Sequence, residues 1–152
     1  MAEALRSAKG GARRGEVPVG AVLIREGVLV ARGANRTIRD TDPSAHAEVV
    51  TLRRAARKAG NHRLAGATLY VTLEPCPMCI GALVQARVRR VVFGAPDPKG
   101  GAVWLLEDPA FLSRINHRFK VAGGILAEEA SRILKTFFLE RRRQSAATRT
   151  RG

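Results

Sequence analysis

The sequence predicts a three-layer α/β/α domain in which a mixed sheet of about five strands carries helices on both faces. Three observations predict it. Short apolar segments rich in Val, Ile and Leu alternate with helix-length segments along most of the chain. A hairpin signal near the N-terminus adds an antiparallel edge to a sheet otherwise closed by crossovers. No repeat or low-complexity linker divides the 152 residues, a length that suits one domain.

Residues 2–14 read as a weak helix, because Gly10 and Gly11 interrupt it and each interior glycine costs about 1 kcal/mol against alanine. Residues 17–24 and 28–34 form the arms of a hairpin turning at Glu26-Gly27. Asp42-Pro43 offers a capping carboxylate followed by a ring suited to the first helical position, so a helix is predicted from there to about Ala59. Residues 68–73 make a short apolar strand. Cys76-Pro77 repeats the cap-plus-proline pattern and starts a helix that reaches about Arg87.

Residues 88–93 are the next strand, 96–101 a Pro- and Gly-rich loop, and 118–121 the last strand. The closing helix places Ala130, Ile133, Leu134, Phe137 and Phe138 on one stripe. Beyond Glu140 come Arg141, Arg142, Arg143, Arg149 and Arg151 with no acid to balance them. The domain is therefore expected over residues 1–144, with a basic, flexible tail over 145–152.

The charge balance narrows the partners. With 27 basic and 13 acidic residues the net charge is +14, and most of the basic residues are arginine. Such a field favours a polyanion, nucleic acid foremost, although a solvated basic face remains the plain alternative. No basic amphipathic helix with a bulky aromatic face suggests a membrane surface, and no apolar run reaches bilayer length. The first residues lack the apolar block of a secretory signal, so a cytoplasmic location is expected. Both cysteines belong to one C-x-x-C, which leaves none for a disulfide framework.

The chemistry sits in two short segments. His46-Ala47-Glu48 and Cys76-Pro77-Met78-Cys79 supply one imidazole and two thiolates, three ligands for a zinc ion with a fourth position left for water. Glu48 is then a carboxylate free to carry protons. Both segments fall at predicted helix starts, so two positive helix ends meet at the metal and favour thiolate over thiol. A redox pair or half of a structural zinc knuckle is the competing reading of a lone C-x-x-C. The structural version needs a fourth ligand, which His62 or His117 could in principle supply.

The pattern H-x-E…P-C-x-x-C is the signature of the zinc deaminases. The chain more narrowly resembles the bacterial tRNA-specific adenosine deaminases, through Glu-Val-Pro-Val-Gly-Ala-Val at 16–22, Asp-Pro-Ser-Ala-His-Ala-Glu at 42–48, Thr-Leu-Tyr-Val-Thr-Leu-Glu-Pro-Cys-Pro-Met-Cys at 68–79, Arg-Val-Val-Phe-Gly-Ala at 90–95, Asn-His-Arg at 116–118 and Gly-Ile-Leu-Ala-Glu at 124–128. The resemblance implies a cytidine deaminase-like fold, one Zn²⁺ per subunit on His46, Cys76 and Cys79, and Glu48 as the catalytic proton carrier.

It also implies that Asn35 hydrogen-bonds the flipped base, that Val19 and Gly20 wall its pocket, and that Ala47 and Cys76 offer backbone amides near the reacting oxygen. Asp97, Lys99, Asn116, His117 and Arg118 would line the RNA approach. The implied activity is hydrolytic conversion of the wobble adenosine of a tRNA anticodon to inosine, by a homodimer. A deaminase of free bases or nucleosides, such as guanine or cytidine, is the alternative with the same chemistry, and a non-catalytic zinc module that binds RNA is the second. Two departures from the family stand out: the first helix is short, and Trp104-Leu105 follows Ala102-Val103.

Overall fold

The computed structural model describes residues 1–149. Its strands are β1 (Gly20–Arg25), β2 (Val28–Ala34), β3 (Thr68–Leu73), β4 (Arg90–Ala95) and β5 (Lys120–Ala122). The helices are α1 (Ala2–Ala12), α2 (Ala47–Ala59), α3 (Pro77–Gln85), α4 (Pro109–Leu112) and α5 (Ala127–Arg149). The strands form one sheet in the order β2-β1-β3-β4-β5. β1 runs antiparallel to both neighbours, and β3, β4 and β5 run parallel to one another. This is the expected mixed five-stranded sheet with its antiparallel hairpin at the edge.

Two glycines show the layering. A Cβ on Gly20 would lie 2.1 Å from the backbone oxygen of Ala4, so α1 is pressed against that side of the sheet. A Cβ on Gly33 would lie 2.7 Å from Thr51 Oγ1 of α2. Gly33 pairs with Ala21, the neighbour of Gly20, and successive residues of a strand face opposite sides. Hence α1 and α2 cover opposite faces. Gly94 approaches Ala130 of α5, and Lys9 pairs with Glu129, so α5 joins α1. Helices α2 and α3 share the other face, where Leu52, Ile80 and Leu83 bury Leu23, Leu69, Val71 and Val91.

The boundaries teach where local signals failed. The hairpin turns as predicted at Glu26 and Gly27, both at positive φ. Strand β1 starts at Gly20 rather than residue 17, because Val19 N–H donates to Val17 O in a tight turn around Pro18. Helix α2 starts at Ala47, not at Pro43. Asp42 Oδ1 accepts from Ser44 N–H and Oγ, so its carboxylate closes a local turn instead of capping a helix. Helix α3 begins as predicted, with Cys76 as N-cap and Pro77 inside its first turn.

Strands β4 and β5 each lie about two residues further along than the pattern suggested. The 3-10 helix at Val103–Leu106 and the short α4 were not foreseen. The last helix does not fray after Glu140; it continues through residue 144 to Arg149, and the end of the expected tail, 150–152, lies outside the described residues. No helix among the described residues is long and apolar enough to cross a membrane.

Candidate metal and active site

The parallel strands deliver the candidate ligands to one end of the sheet. Cys76 follows the C-terminal end of β3 and is the N-cap of α3, and Cys79 lies one turn in. His46 is the N-cap of α2. The two helix N-termini therefore converge, as expected for a site beyond the carboxyl ends of the strands. His46 Nδ1 lies 3.6 Å from Cys76 Sγ and 3.7 Å from Cys79 Sγ, and the three donor atoms all lie within 4.8 Å of one another.

These donors fit zinc. Ligands at about 2.0–2.3 Å around a tetrahedral ion stand roughly 3.5–3.8 Å apart, which is the spacing seen to both sulfurs. The thiols also behave as one coupled group. The hydrogen bond from Cys79, then that with His46, holds the Cys76 thiol down at about 4. The same bond, with burial, pushes Cys79 up. A bound dication would favour the thiolate form of both. His46 is raised by its hydrogen bond to Cys76.

Among the described residues no fourth His, Cys, Asp or Glu joins this group. His62 is exposed in the α2–β3 connection, and His117 Nε2 bonds Val88 O beyond the far end of α3. Neither completes a closed structural site, so a bound ion would keep an open position.

Glu48 is 4% exposed. Burial, followed by the charge on Cys76, pushes its carboxyl up to about 7. Two residues after the N-cap, it lies inside the first turn of α2, whose positive end faces the same space. The group can therefore both give and take a proton near neutral pH.

Around this centre the other predicted residues divide. Asn35, buried just after β2, accepts from Ala47 N–H through Oδ1 at 2.8 Å. It ties the hairpin to the start of α2, which signals in the sequence did not reveal. Ala47 N–H is the donor of this bond. Val19 is 6% exposed, and its carbonyl accepts from Asn35 N–H. Gly20 donates to Thr72 Oγ1, and its missing side chain makes room for α1.

Asp97 and Lys99 lie at the site end, in the loop after β4. Asp97 Oδ1 accepts from Lys99 and Gly100 N–H and so shapes the loop, while Lys99 is exposed. Asn116, His117 and Arg118 do not approach the site. They precede β5, whose start is level with the start of β4, and Arg87 holds Asn116 O there. A strand of six residues spans about 20 Å, which separates this segment from the metal ligands. The chain had to return to the sheet's opposite end to enter a parallel strand.

Two carboxylates missed by the sequence reading build the surroundings. Glu16, 1% exposed, accepts from Arg39 N–H at 2.8 Å and from Ile38 N–H, fixing the loop that leads to His46. Glu74 accepts from Asp97 and Val103 N–H and presses so closely on Gly101 that a Cβ there would meet its carboxyl at 2.4 Å. An acid amid Val and Pro, or between Leu and Pro, was the available signal in each case. Trp104 is 60% exposed. Phe137 is buried while Phe138 is exposed.

Comparison with known proteins bears on this site. The chain matches the MafB19-like deaminase family over residues 1–142. It is 47% identical over 149 residues to a tRNA-specific adenosine deaminase of Bacillus subtilis, covering 98% of this chain and 92% of that protein. A solved structure from work on A-to-I editing by tRNA:A34 deaminases at the wobble position superposes with a TM-score of 0.80 at 44% identity, covering 86% of this chain and 95% of the other. A guanine deaminase of B. subtilis superposes with a TM-score of 0.60 at 38% identity, covering 62% and 61%.

Proposed function

The chain belongs to the MafB19-like deaminase family together with the bacterial tRNA-specific adenosine deaminases, and from that membership we propose that it converts the wobble adenosine of a tRNA anticodon to inosine by hydrolysis, releasing ammonia. The observation that carries this reading is the grouping of three donors beside a buried, protonatable carboxylate in a chain with net charge +14.

His46 Nδ1 and the sulfurs of Cys76 and Cys79 would hold one Zn²⁺ in each chain, and the ion would supply Lewis acidity at the reacting water. Glu48 accepts the proton of the attacking water at its carboxylate and delivers protons to the ring nitrogen and the departing amine. Its burial, which pushes the metal-free carboxyl up, suits a group that must also give protons back. Asn35 fixes the N-terminal turn that carries His46 and Glu48 and contacts the flipped base with the rest of its amide. Val19 and Gly20 edge that pocket, and Asp97 and Lys99 border the entrance. Flipping exposes a ring carbon that stacking otherwise shields, and a loop base is already partly free.

The enzyme works in the cytoplasm as a homodimer. Met78, 41% exposed in the first turn of α3, and Trp104 give the site end an apolar surface of the kind a second copy covers. The guanine deaminase likeness keeps a free-base substrate in view. A free base needs no polycationic surface, whereas loop phosphates do. Incubation with a tRNA pool, followed by sequencing for A-to-I changes and metal analysis of the same preparation, should give inosine at the wobble position and about one zinc per chain. Ammonia release from guanine or cytidine without tRNA inosine would overturn the reading.

A further inference from the structure

At the end of the sheet away from the metal ligands, five cationic side chains crowd one cleft. Arg63 from the α2–β3 connection, Arg87 and Arg89 between α3 and β4, and Arg118 and Lys120 at the head of β5 line a cavity of about 720 Å³ together with His117. No carboxylate lines it. Among the described residues, the ion pairs engage Arg6, Lys9, Arg25, Arg32, Arg36 and Arg53 and none of these five. Among the described residues, Glu3, Glu26, Asp40, Asp42 and Glu129 pair with cations elsewhere, and no acid lines this wall.

The wall is held in place by backbone. Lys120 N–H donates to Arg89 O, Arg87 grips Asn116 O, and His117 bonds Val88 O. These contacts fix the segment before β5 against the end of α3, so the fold itself brings the five cationic residues to one cleft. Gathering like charges without a counter-charge is unfavourable, and a chain of phosphates relieves it while releasing condensed counterions. One small anion would neutralise only part of a wall this wide.

We infer that this cleft binds the phosphodiester backbone of the tRNA substrate outside the anticodon loop, as an anchor separate from the pocket that takes the base. The inference rests on the tRNA reading above. The strand length between the two sites, about 20 Å, is too great for the loop nucleotide in the pocket and its immediate neighbours to fill both. The anchor therefore meets phosphates of the stem or body.

The test uses the full chain with Arg89→Ser and Lys120→Ser together, both exposed, and a second variant, Arg63→Ser with Arg118→Ser, on the other side of the cleft. Binding is followed by fluorescence anisotropy across a salt series with two RNAs, an intact tRNA and the isolated anticodon loop. Each double variant should bind intact tRNA about tenfold more weakly near physiological salt, with a log–log salt slope shallower by about 2. Binding and deamination of the isolated loop should stay within about twofold of the parent.

Equal weakening on both RNAs, or an unchanged affinity for intact tRNA, would overturn the anchor. So would weakening that follows a change in sedimentation, which would make the cleft an interface between copies. The two readings fail separately. A parent chain that binds tRNA through this cleft yet makes no inosine defeats the deaminase assignment alone, whereas normal inosine formation with indifferent double variants defeats the anchor alone.

Discussion

The two ends of the sheet are built on opposite principles. At the site end nearly every polar group is spoken for: Glu16 and Glu74 receive backbone donors, Asn35 receives Ala47 N–H, and the sulfurs of Cys76 and Cys79 meet His46. At the other end Arg63, Arg87, Arg89, Arg118 and Lys120 line their cleft without an acid. The first arrangement positions a few atoms to within a hydrogen bond's tolerance. The second presents charge without fixing where a partner's atoms must sit. Reaction chemistry needs the former, and holding a polyanion needs only the latter.

The contrast predicts unequal costs. The largest effect should come from His46→Ala, which removes the only nitrogen donor. Metal analysis should show most of the zinc lost, and inosine formation should fall below detection. Retention of stoichiometric zinc would break the ligand assignment.

Next in size is a pH-dependent gain in stability. The Glu48 carboxyl stands at about 7 in the fold against an ordinary 4.5. In metal-free protein its protonated form is favoured in the native state, so its contribution is fully present below about pH 4.5 and is lost as pH rises through 7. Glu48→Gln should therefore stabilise chelator-treated protein by on the order of 3 kcal/mol at pH 8 and by almost nothing at pH 4. Denaturant titrations at the two values check this, and an equal effect at both would mean that the carboxyl is not held neutral by burial.

Asn35→Ala should come third. It strands the buried Ala47 N–H and should cost about 1–3 kcal/mol, with a fall in activity as the start of α2 loosens. At the other end, Arg89→Gln should change stability by less than about 0.5 kcal/mol, since the side chain is exposed and makes no ion pair among those described. A larger loss would mean that the cleft is structural after all.

Legibility in the sequence follows the same divide. His46, Glu48, Cys76 and Cys79 were readable because metal chemistry fixes residue type and spacing within a few positions of one another. The hairpin and helix α3 were readable because Glu26-Gly27 and Cys76-Pro77 act locally. Two of the three Asp-Pro pairs mark the limit. Asp42-Pro43 looked like a helix start and closes a turn onto Ser44, whereas Asp108-Pro109 does cap a helix, through Ala110 N–H. The difference lies in what the rest of the chain packs around each pair, which no short window contains.

That Asn116, His117 and Arg118 lie away from the metal ligands was hidden for a related reason. Their end of the sheet is decided by the direction of β5 relative to β4, a long-range pairing. The cleft that His117 and Arg118 help to form also gathers residues 63 and 87, so neither its existence nor its location could be seen in sequence order. The length of α5 beyond Glu140 likewise escaped an argument based on charge alone, because unbalanced arginines do not by themselves break a helix.

The most direct test of the site is the turnover of Glu48→Gln on an intact tRNA, measured with its zinc content and tRNA affinity on one preparation. The account predicts one zinc per chain and unchanged affinity, with inosine formation reduced by about 10³-fold or more. Near-normal turnover in a zinc-loaded, tRNA-binding Glu48→Gln chain would contradict it.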